Sequence, residues 1–397
     1  MIQKKFSLIP RYNWDYKLSD LAKAFSGIFT TEVDAESKMK KIFGQTPIFT
    51  TSGRTSLYVI LKSLNLLEGS GVGVPLFCCP VVFDAIKQAH LVPKFIDITL
   101  DDYNLSPSDL EKKKDSLSAV VVVHMFGHPA DMDSVSDICG DIPIIEDCAQ
   151  SLFSTHKECY TGFQSNASFF SFRSGKYISA GEGSAIFCND PSLRVSVEKL
   201  VETFEEWNFF QEFQHCTSTY IKSFFYKRPW YGVFGYPIGR LLDQRLNLTA
   251  KTGFKLRKIS KSDLRIIDDK IVTFLSRVNE QRQNALYLLE KLKIKKAFLP
   301  IEREGCISNY YQFAIRFNDT EQRDLVAEYL LKHCIDTAKY LDEVLDVAKG
   351  LYGYKGDCPN AELCSKTTLV IPHHYTLSLQ NLDYIVHTLN DASNYIT

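Results

Sequence analysis

The stretch SFFSFRSGKYISAGEGSAIF, residues 168–187, decides the fold prediction. Two apolar strands, Ser168–Phe172 and Ser184–Phe187, flank a tight polar turn that holds a single lysine, Lys176. Apolar strands on both sides would keep water away from the amine, and a desolvated lysine has a lowered pKa and can attack an aldehyde carbon. The stretch taken alone is equally typical of a surface lysine in a hairpin, so the rest of the chain has to separate the two interpretations.

Composition narrows the class of protein. The chain has 397 residues, 45% of them hydrophobic, and a formal net charge of −1 from 46 basic and 47 acidic residues. This balance lacks the excess of positive charge that is typical of nucleic-acid-binding proteins. The 11 cysteines contain no C-x-x-C pair that would indicate a zinc or redox site. No apolar run reaches the roughly 18 residues of a membrane span, and the N-terminus carries no export signal. We therefore expect a cytoplasmic, core-forming protein without a metal site.

A small polar turn before a helix is a candidate phosphate site. Pro47–Phe49 is typical of a short strand, residues 51–53 of a turn with a helix N-cap, and apolar residues then recur at helical spacing. Backbone N–H groups and the positive dipole end at such a helix start bind phosphate. The side chains of Arg54 and Thr55 add a charge and a hydroxyl beside Gly53. An ordinary capped helix has the same pattern, so both interpretations stay open at this point.

Strands and helices alternate along residues 47–187, which favours a mainly parallel mixed sheet sandwiched by helices. The valines of SAVVVVHMF, residues 118–126, predict a strand that is buried on both faces. The segment IPIIEDCAQS, residues 142–151, predicts another strand, which ends in Glu146 and Asp147. Ligands of open α/β sheets gather at the carboxyl ends of the strands. An acid at this position is therefore placed to pair with a cationic ring nitrogen.

The C-terminal part predicts a second, smaller unit. Residues 309–397 alternate strand and helix patterns, after a long helix predicted at about Ser262–Leu292. We therefore expect an α/β fold with a large domain over residues 1–250 and a smaller C-terminal α+β domain over residues 251–397.

Residues 200–250 form an insert that is rich in aromatic and basic side chains. One interpretation is contact with a membrane surface or with a lipid-linked substrate. The other is a dimer interface or a lid packed on the sheet. Composition favours the second, because aromatic residues and arginine are also enriched at protein interfaces.

Three separate features match the needs of one cofactor. Pyridoxal 5′-phosphate (PLP) requires a cradle for its phosphate, a carboxylate for its pyridine nitrogen and an amine for its aldehyde. The helix start at Gly53, the strand-end acid Asp147 and the turn lysine Lys176 offer one of each. The combination favours a PLP site over the separate, purely structural interpretations.

At this point the sequence resembles the DegT/DnrJ/StrS-type sugar aminotransferases, which have the PLP-dependent aspartate aminotransferase fold (fold type I). The motifs run in family order over most of the chain: SGRTSL (52–57), VPLFCCPVVFDAI (74–86), FIDITLDDYNLSP (95–107), VVVHMFGHPADMD (121–133), IIEDCAQS (144–151), FFSFRSGKYISAGEGSAIF (169–187) and IPHHYTLS (371–378). The block over residues 144–187 carries most of the specificity.

The resemblance assigns roles residue by residue. It implies that Lys176 forms the Schiff base with the cofactor and that Asp147 pairs with the pyridine nitrogen. It adds further cofactor contacts: Gln150 near the ring hydroxyl, Ser171, Gly53, Arg54 and Thr55 at the phosphate, and Cys79 where the family usually stacks an aromatic ring.

The chain departs from the family pattern at several positions. Cys79 has an aromatic neighbour, Phe77, only two residues away, so either the thiol packs on the ring or the register slips. The segment GFKLRK replaces the family's Asn-Tyr-Arg motif, which reaches the neighbouring subunit's phosphate, and three residues of this segment are candidates for that charge: Lys255, Arg257 and Lys258. The candidate substrate contacts are Arg173, Tyr340, His373 and His374, and loop structure explains the two histidines equally well.

The resemblance implies an aminotransferase that moves an amino group from an amino acid, L-glutamate by analogy, to a nucleotide-linked keto-sugar for glycan or secondary-metabolite biosynthesis. Pyridoxamine phosphate would be the intermediate form of the cofactor, and two subunits would share each active site in a homodimer. A PLP-dependent sugar dehydratase is an alternative, but that branch replaces the lysine with histidine and this chain has Lys176. A PLP-binding regulatory protein that has lost catalysis is the other alternative, because the Cys79 and GFKLRK positions depart from the pattern.

Overall fold

A computed structural model describes residues 6–30, 33–240 and 256–395. Its strands are β1 (Ile48–Thr50), β2 (Gly71–Pro75), β3 (Val92–Ile96), β4 (Ala119–Val123), β5 (Ile144–Asp147), β6 (Thr155–His156), β7 (Cys159–Tyr160), β8 (Ala167–Ser171), β9 (Ser184–Cys188), β10 (Ala297–Phe298), β11 (Cys306–Ile307), β12 (Phe313–Phe317), β13 (Ala338–Lys339) and β14 (Thr368–Ile371). Its helices are α1 (Leu18–Phe29), α2 (Ala35–Phe43), α3 (Gly53–Ser63), α4 (Val81–Gln88), α5 (Pro107–Lys113), α6 (Met132–Cys139), α7 (Pro191–Glu202), α8 (Phe209–Phe225), α9 (Lys261–Lys270), α10 (Phe274–Lys291), α11 (Thr320–Lys332), α12 (Val344–Tyr352), α13 (Pro359–Thr367) and α14 (Leu379–Ala392).

A seven-stranded mixed sheet with the order β1-β9-β8-β5-β4-β2-β3 forms the centre of the fold. The strands β8, β5, β4, β2 and β3 run parallel to one another. At one edge β9 pairs antiparallel with β8, and β1 pairs antiparallel with β9. The carboxyl ends of β5 and β8 therefore meet at one edge of the sheet, where ligands gather in open α/β folds.

The valine-rich strand β4 is buried along its whole length. Val121 and Val123 pack into the core beneath α3 and α4, whereas Val120 and Val122 pack on the opposite face with residues of α5 and α6. Successive side chains of a strand point to opposite faces, so a continuous apolar run requires cover on both sides. The helices on the two faces provide that cover.

The antiparallel edge of the sheet packs against a helical layer. The side chains of Ile266 and Ile267 in α9 share a core with Phe170 and Phe172 of the β8 segment, and α9 also contacts α1, α2 and α8. Residues 261–270 therefore cover the large sheet. The predicted domain boundary at residue 250 lies outside the described residues. The single long helix predicted to follow it is two helices, α9 and α10.

A smaller antiparallel sheet, β10-β12-β14-β13, lies in the C-terminal part and packs against α10, α11 and α14. A short three-stranded sheet pairs β11 with β6 and so joins this part to the loops after β5. Of the helices that the structure describes, none has the length and apolar character to cross a bilayer.

Candidate active site

The turn that carries Lys176 connects the paired strands β8 and β9 and folds back on itself. The Ala180 N–H donates to Phe172 O at 2.9 Å, and the Lys176 N–H donates to Arg173 O at 2.9 Å. Gly181 has a φ of +127°, and a Cβ atom there would lie 2.7 Å from Asp263 Oδ1. Both the backbone conformation and the space at this position require glycine, so the turn has little freedom and holds Lys176 above the end of β8.

The amine of Lys176 packs against an aromatic ring, and the residue as a whole is half-buried. Its Nζ atom is 4.7 Å from the centre of the Tyr311 ring, and the Tyr311 hydroxyl donates to Gly175 O at 2.8 Å, which fixes the ring against the turn. Burial lowers the pKa of Lys176 to about 8, and the nearby Asp147 carboxylate offsets only part of this effect. The ordinary lysine value is 10.5, so a much larger share of this amine is neutral and nucleophilic near neutral pH.

The two acids at the end of β5 point to opposite faces of the sheet. Asp147 faces Lys176, and its Oδ1 accepts the Ala149 N–H at 2.9 Å; burial raises the pKa of Asp147, and Lys176 opposes that rise. Glu146 is fully buried on the other face, where its Oε2 bonds His124 Nε2 at 3.0 Å and accepts the Gly162 N–H at 2.7 Å. Burial alone would raise the pKa of Glu146, but these bonds outweigh it and the net shift is downward.

In the described part of the chain, one compact group of potential metal ligands is present: His124, Glu146 and Cys148. Both ring nitrogens of His124 are engaged, Nε2 by Glu146 and Nδ1 by the Ala130 N–H at 3.0 Å. Burial raises the pKa of Cys148 well above its usual range and keeps it a thiol. The group is therefore a satisfied hydrogen-bond network within the core.

The N-terminal end of α3, a helix that packs on the large sheet, lies close to Lys176 and Asp147. The Ser52 side chain caps this helix by accepting the Thr55 N–H at 3.2 Å, and Arg54 pairs with Asp84 at 3.1 Å. A Cβ atom at Gly53 would lie 3.1 Å from the Phe169 ring. Glycine at this position therefore lets the positive end of the helix dipole approach β8 closely.

These elements surround a cavity of about 490 Å³, a volume within the range of small-molecule and cofactor sites. Ten of the residues singled out from the sequence line it: Gly53, Arg54, Thr55, Cys79, Asp147, Gln150, Ser171, Arg173, Lys176 and Tyr340. Two of them are joined directly, because Gln150 Nε2 donates to the Tyr340 hydroxyl at 3.1 Å. The structure brings these residues together, and their individual roles stay predictions.

Cys79 rather than Phe77 lies on the cavity wall. Phe77 is fully buried and packs in the core with the rings of Tyr103, Phe126 and Tyr340. At the position expected to face a cofactor ring, the structure therefore places a thiol.

His373 and His374 are not part of this wall. They line a separate cavity of only about 30 Å³, which meets the turn at Lys176. His373 Nε2 bonds Tyr310 O at 2.6 Å, and His374 Nε2 bonds Pro10 O at 3.2 Å. Burial lowers the pKa of His373 to about 4 and that of His374 to about 3. Both rings are neutral at physiological pH and offer no charge to a substrate carboxylate.

Sequence reasoning did not single out three further residues of the cavity wall, Glu182, Trp207 and Phe169, and it left Arg257 as one of several candidates. The guanidinium of Arg257 lies over the Trp207 ring, 5.1 Å from its centre. Its Nε atom is buried without a hydrogen-bond partner in the described part of the chain. Trp207 and Arg257 are 50 residues apart, and no local pattern could have linked them.

The GFKLRK segment is described only from residue 256 onward. Arg257 lines the cavity of its own chain, and Thr51 Oγ1 donates to its backbone oxygen at 3.0 Å. Lys258 turns outward, and its Nζ pairs with Glu206 at 3.2 Å. Lys255 lies outside the described residues.

The lining residues fit PLP. Asp147 Oδ2 has no hydrogen-bond donor among the described residues, so one carboxylate oxygen remains available to a pyridinium N–H. The helix start of α3 together with Ser171 suits a phosphate, and the amine of Lys176 suits an aldehyde. Val123 and Phe169 supply apolar surface for the ring.

Reactivity of Lys176 should follow its lowered pKa. We expect the rate of PLP capture by the cofactor-free protein to rise about tenfold per pH unit below pH 8 and to level off above it, because the neutral amine is the nucleophile. Stopped-flow absorbance of PLP measures this rate, and Lys176→Ala serves as the blank. A rate that keeps rising up to about pH 10 would mean that the amine has an ordinary lysine pKa.

The sequence profile of the DegT/DnrJ/EryC1/StrS aminotransferase family matches residues 32–390. The chain belongs to this family, and both the family and the α/β fold predicted from the motifs are confirmed. PLP is the cofactor of the family, so the predicted cofactor is confirmed at that level.

Among curated relatives, GDP-perosamine synthase from Escherichia coli O157:H7 is 34% identical over 146 residues, which cover 36% of this chain and 40% of that protein. The chain thus spans less than half the length of this relative. The aminotransferase TlmJ from Streptoalloteichus hindustanus has a TM-score of 0.79 at 19% identity, covering 98% of this chain and all of that one (100%). The protein Spr1654 from Streptococcus pneumoniae, solved in its PLP form, has a TM-score of 0.76 at 16% identity, covering 98% and 100% of the two chains.

Proposed function

We propose that this protein is a PLP-dependent aminotransferase that moves an amino group from an amino acid, L-glutamate in the first instance, to a nucleotide-linked keto-sugar. The observation that carries the proposal is the pairing across one cavity of a lysine with a lowered pKa, Lys176, and a buried carboxylate, Asp147. Family membership over residues 32–390 supports the reaction class.

The residues divide the chemistry between binding and proton transfer. When bound, PLP supplies an aldehyde that condenses with amines and a ring that accepts the electron pair left by a broken C–H bond. Lys176 lies on the cavity wall, where its Nζ would be the group that accepts and returns the proton of the substrate C–H bond. With a pKa of about 8, this amine can both accept and release a proton near neutral pH.

Asp147 would orient the cofactor ring and keep its nitrogen positively charged. Its Oδ1 is held by the Ala149 N–H, and its Oδ2 would accept the ring N–H, so the ring nitrogen stays protonated. Gln150 is fixed on both ends: its Oε1 accepts the Phe126 N–H at 3.1 Å and its Nε2 donates to Tyr340. Its Nε2 also contacts Met125 Sδ at 3.7 Å, so Gln150 would give up this weak contact to present an N–H to the ring hydroxyl.

The charge of the cavity supports a polyanionic substrate. Its described lining contains four cations, Arg54, Arg173, Lys176 and Arg257, against two acids, Asp147 and Glu182. This excess attracts anionic groups, first of all the phosphate of PLP, and two of the cations, Arg54 and Arg257, are partly balanced by Asp84 at 3.1 Å and Glu205 at 3.8 Å outside the lining. The name of the E. coli relative, GDP-perosamine synthase, agrees with a nucleotide-linked sugar.

A groove beside the cavity has room for the nucleotide. It measures about 360 Å³ and shares Trp207 and Arg257 with the cavity wall. The other lining residues, Gln211, Gln214, His215 and Ser218, are all polar. Arg257 thus stands between the two spaces, where a diphosphate bridging sugar and base would pass. Its Nε makes no hydrogen bond in the described chain, and the Glu205 carboxylate lies 3.8 Å from it.

The test compares a nucleotide-linked keto-sugar with the same keto-sugar lacking the nucleotide. Consumption of the pyridoxamine form, generated with L-glutamate, is the readout. Loss of a charge-assisted hydrogen bond costs about 1.5–3 kcal/mol. Arg257→Gln should therefore raise KM for the linked sugar about tenfold or more and leave KM for the unlinked sugar unchanged. Lys258→Gln, one residue along but outside the cavity wall, is the matched control.

Two results would count against the proposal. An equal rise of KM for both sugars in Arg257→Gln would mean that the groove does not bind the nucleotide. The proposed amination itself would be unaffected by this result. If neither glutamate nor any other amino acid converts PLP to the pyridoxamine form, the proposed aminotransferase activity is wrong. That result would favour a binding or regulatory protein. A shared active site in a homodimer stays part of the proposal, and light scattering of the same preparation measures the number of subunits.

A further inference from the structure

The carboxylate of an amino donor needs a partner inside the cavity. In the proposed reaction the donor's amine has to reach the cofactor aldehyde that Lys176 otherwise holds, and the α-carboxylate is attached to the same carbon as that amine. A charge that is taken out of water is costly unless it is paired. Neither His373 nor His374 can be the partner, because both are neutral and neither lines the cavity wall.

Three guanidinium groups belong to the described lining of the cavity, and two of them are already engaged. Arg54 pairs with Asp84 at 3.1 Å. Arg257 lies over the Trp207 ring, 5.1 Å from its centre, and the Glu205 carboxylate is 3.8 Å from its Nε. Residues of the same chain therefore hold both of these side chains in place.

The third guanidinium, that of Arg173, is not engaged in this way. Its side chain makes no hydrogen bond or ion pair with any residue that the structure describes, and the residue is exposed although it lines the cavity. Glu182 is an acid of the same lining. Burial and the charge of Asp263 raise the pKa of Glu182, and Arg173 opposes this rise through space, but the two side chains are not in contact. Arg173 thus keeps its N–H donors available to a ligand.

The turn that carries Lys176 also fixes the backbone of Arg173. Arg173 O accepts the Lys176 N–H at 2.9 Å, and the next residue, Ser174, donates its N–H to Gly181 O at 2.8 Å. The guanidinium and the amine therefore project from one constrained turn. Burial is the main cause of the lowered pKa of Lys176, and the charge of Arg173 adds to it, so the two groups are close enough to interact.

We propose that Arg173 binds the α-carboxylate of the amino donor. This assignment rests on the proposed function, because it gives a residue to the donor half of that reaction, whereas the sequence left open which substrate Arg173 meets. A guanidinium presents its N–H groups in a planar fork that matches the two oxygens of a carboxylate. Every amino acid carries this carboxylate, so the contact holds L-glutamate and L-glutamine alike.

Other anionic or polar groups are poorer partners for Arg173. The phosphate of PLP already has the start of α3 and the hydroxyl of Ser171. The proposed diphosphate of the linked sugar lies at the groove beside Arg257. The sugar ring itself offers hydroxyl groups, and neutral acceptors give a guanidinium weaker hydrogen bonds than a carboxylate does.

Separate measurement of the two half-reactions tests the proposal. The donor half follows the conversion of PLP to its pyridoxamine form by L-glutamate or L-glutamine. The sugar half starts from protein loaded directly with pyridoxamine phosphate and needs no donor. We expect Arg173→Gln to raise the half-saturating concentration of both donors about tenfold or more and to leave that of the keto-sugar unchanged. Arg173→Lys, which keeps the charge but loses the fork, should give a smaller rise.

Calorimetry with 2-methylglutamate and the PLP-loaded protein measures binding apart from turnover, because this compound has the carboxylate but no C–H bond on its α carbon. Arg173→Gln should weaken its binding about tenfold or more. Arg277→Gln removes a side chain that is 47% exposed and outside the cavity wall, and it should bind the compound as the original protein does. The melting temperature of Arg173→Gln should stay close to that of the original protein, since an exposed side chain without an ion pair is lost.

Several results would overturn the assignment. A rise for L-glutamate but not for L-glutamine would mean that Arg173 binds the side-chain carboxylate of the donor. A rise for the keto-sugar, or no change in either half-reaction, would mean that Arg173 does not bind the donor, and so would 2-methylglutamate that fails to bind the original protein. Failure of the proposed function looks different: 2-methylglutamate then binds, and binds less well to Arg173→Gln, although no amino acid converts PLP.

Discussion

Replacement of Lys176 by alanine is expected to lower kcat at least about 10³-fold. The substitution removes the amine that attaches the cofactor and the group that moves the proton, and no other lysine lines the cavity among the described residues. Turnover with L-glutamate and a keto-sugar measures the loss. Borohydride reduction followed by intact-mass analysis reports separately whether the cofactor is joined to the chain.

Lys176→Arg separates the two properties of the side chain. Arginine keeps the positive charge opposite Asp147, but its pKa is too high for it to supply a neutral amine near neutral pH. The variant should therefore fold and melt much like the original protein and lose activity as completely as Lys176→Ala. Undiminished turnover in either variant would eliminate the proposed mechanism.

Asp147→Asn should have opposite effects on the empty and the loaded protein. Without PLP, burial raises the pKa of Asp147, so the folded state holds a proton that the unfolded state releases. The stabilisation from this group is then lost as pH rises from its unfolded pKa of about 3.9 through the folded value. At neutral pH the buried charge is unfavourable, and removing it should raise the melting temperature of the empty protein.

With PLP bound, the same carboxylate faces a cationic ring nitrogen, and removing one partner of a buried charge pair costs about 3–5 kcal/mol. We therefore expect kcat/KM to fall about 10²- to 10³-fold in Asp147→Asn, and the rise in melting temperature on adding PLP to shrink. Thermal melts with and without PLP, together with steady-state rates, measure both effects. Equal melting shifts and unchanged rates would mean that Asp147 does not contact the cofactor.

Glu146→Gln is the matched control, because it alters the adjacent buried carboxylate on the opposite face. Hydrogen bonds from His124 and Gly162 hold the pKa of Glu146 below its usual value despite its burial. Its stabilising charge is present at neutral pH and is lost as pH falls through the folded pKa. Glu146→Gln should therefore lower the melting temperature with and without PLP alike.

The sequence indicated the class of chemistry because the residues that would carry it out lie in short local patterns. Lys176 stands in a turn between two apolar strands, Asp147 ends a strand, and Gly53 begins a helix after a polar turn. Each pattern is short, and each had an ordinary structural explanation. Their combination indicated PLP, and the family match over residues 32–390 agrees with it.

Other features needed the assembled fold. Adjacent strand residues point to opposite faces, so the sequence implied that Glu146 and Asp147 would separate but not which of them would meet Lys176. Trp207 and Arg257 meet only in the folded chain, where a backbone bridge pairs Glu205 with Arg257 and the Arg257 guanidinium lies over the Trp207 ring. His373 and His374 follow a buried strand, and only the packing around them shows that their ring nitrogens bond backbone oxygens.

By itself, the sequence determined the fold class, the family and the set of groups able to hold PLP, because strand burial, helix starts and the lysine turn are recorded in neighbouring residues. The tertiary structure alone decided which carboxylate faces the amine, that Arg257 joins its own chain's cavity, and that α8 turns its phenylalanines outward. These outcomes depend on contacts between residues far apart in the chain, such as Glu212 with the start of α9, and no periodicity within one segment encodes them.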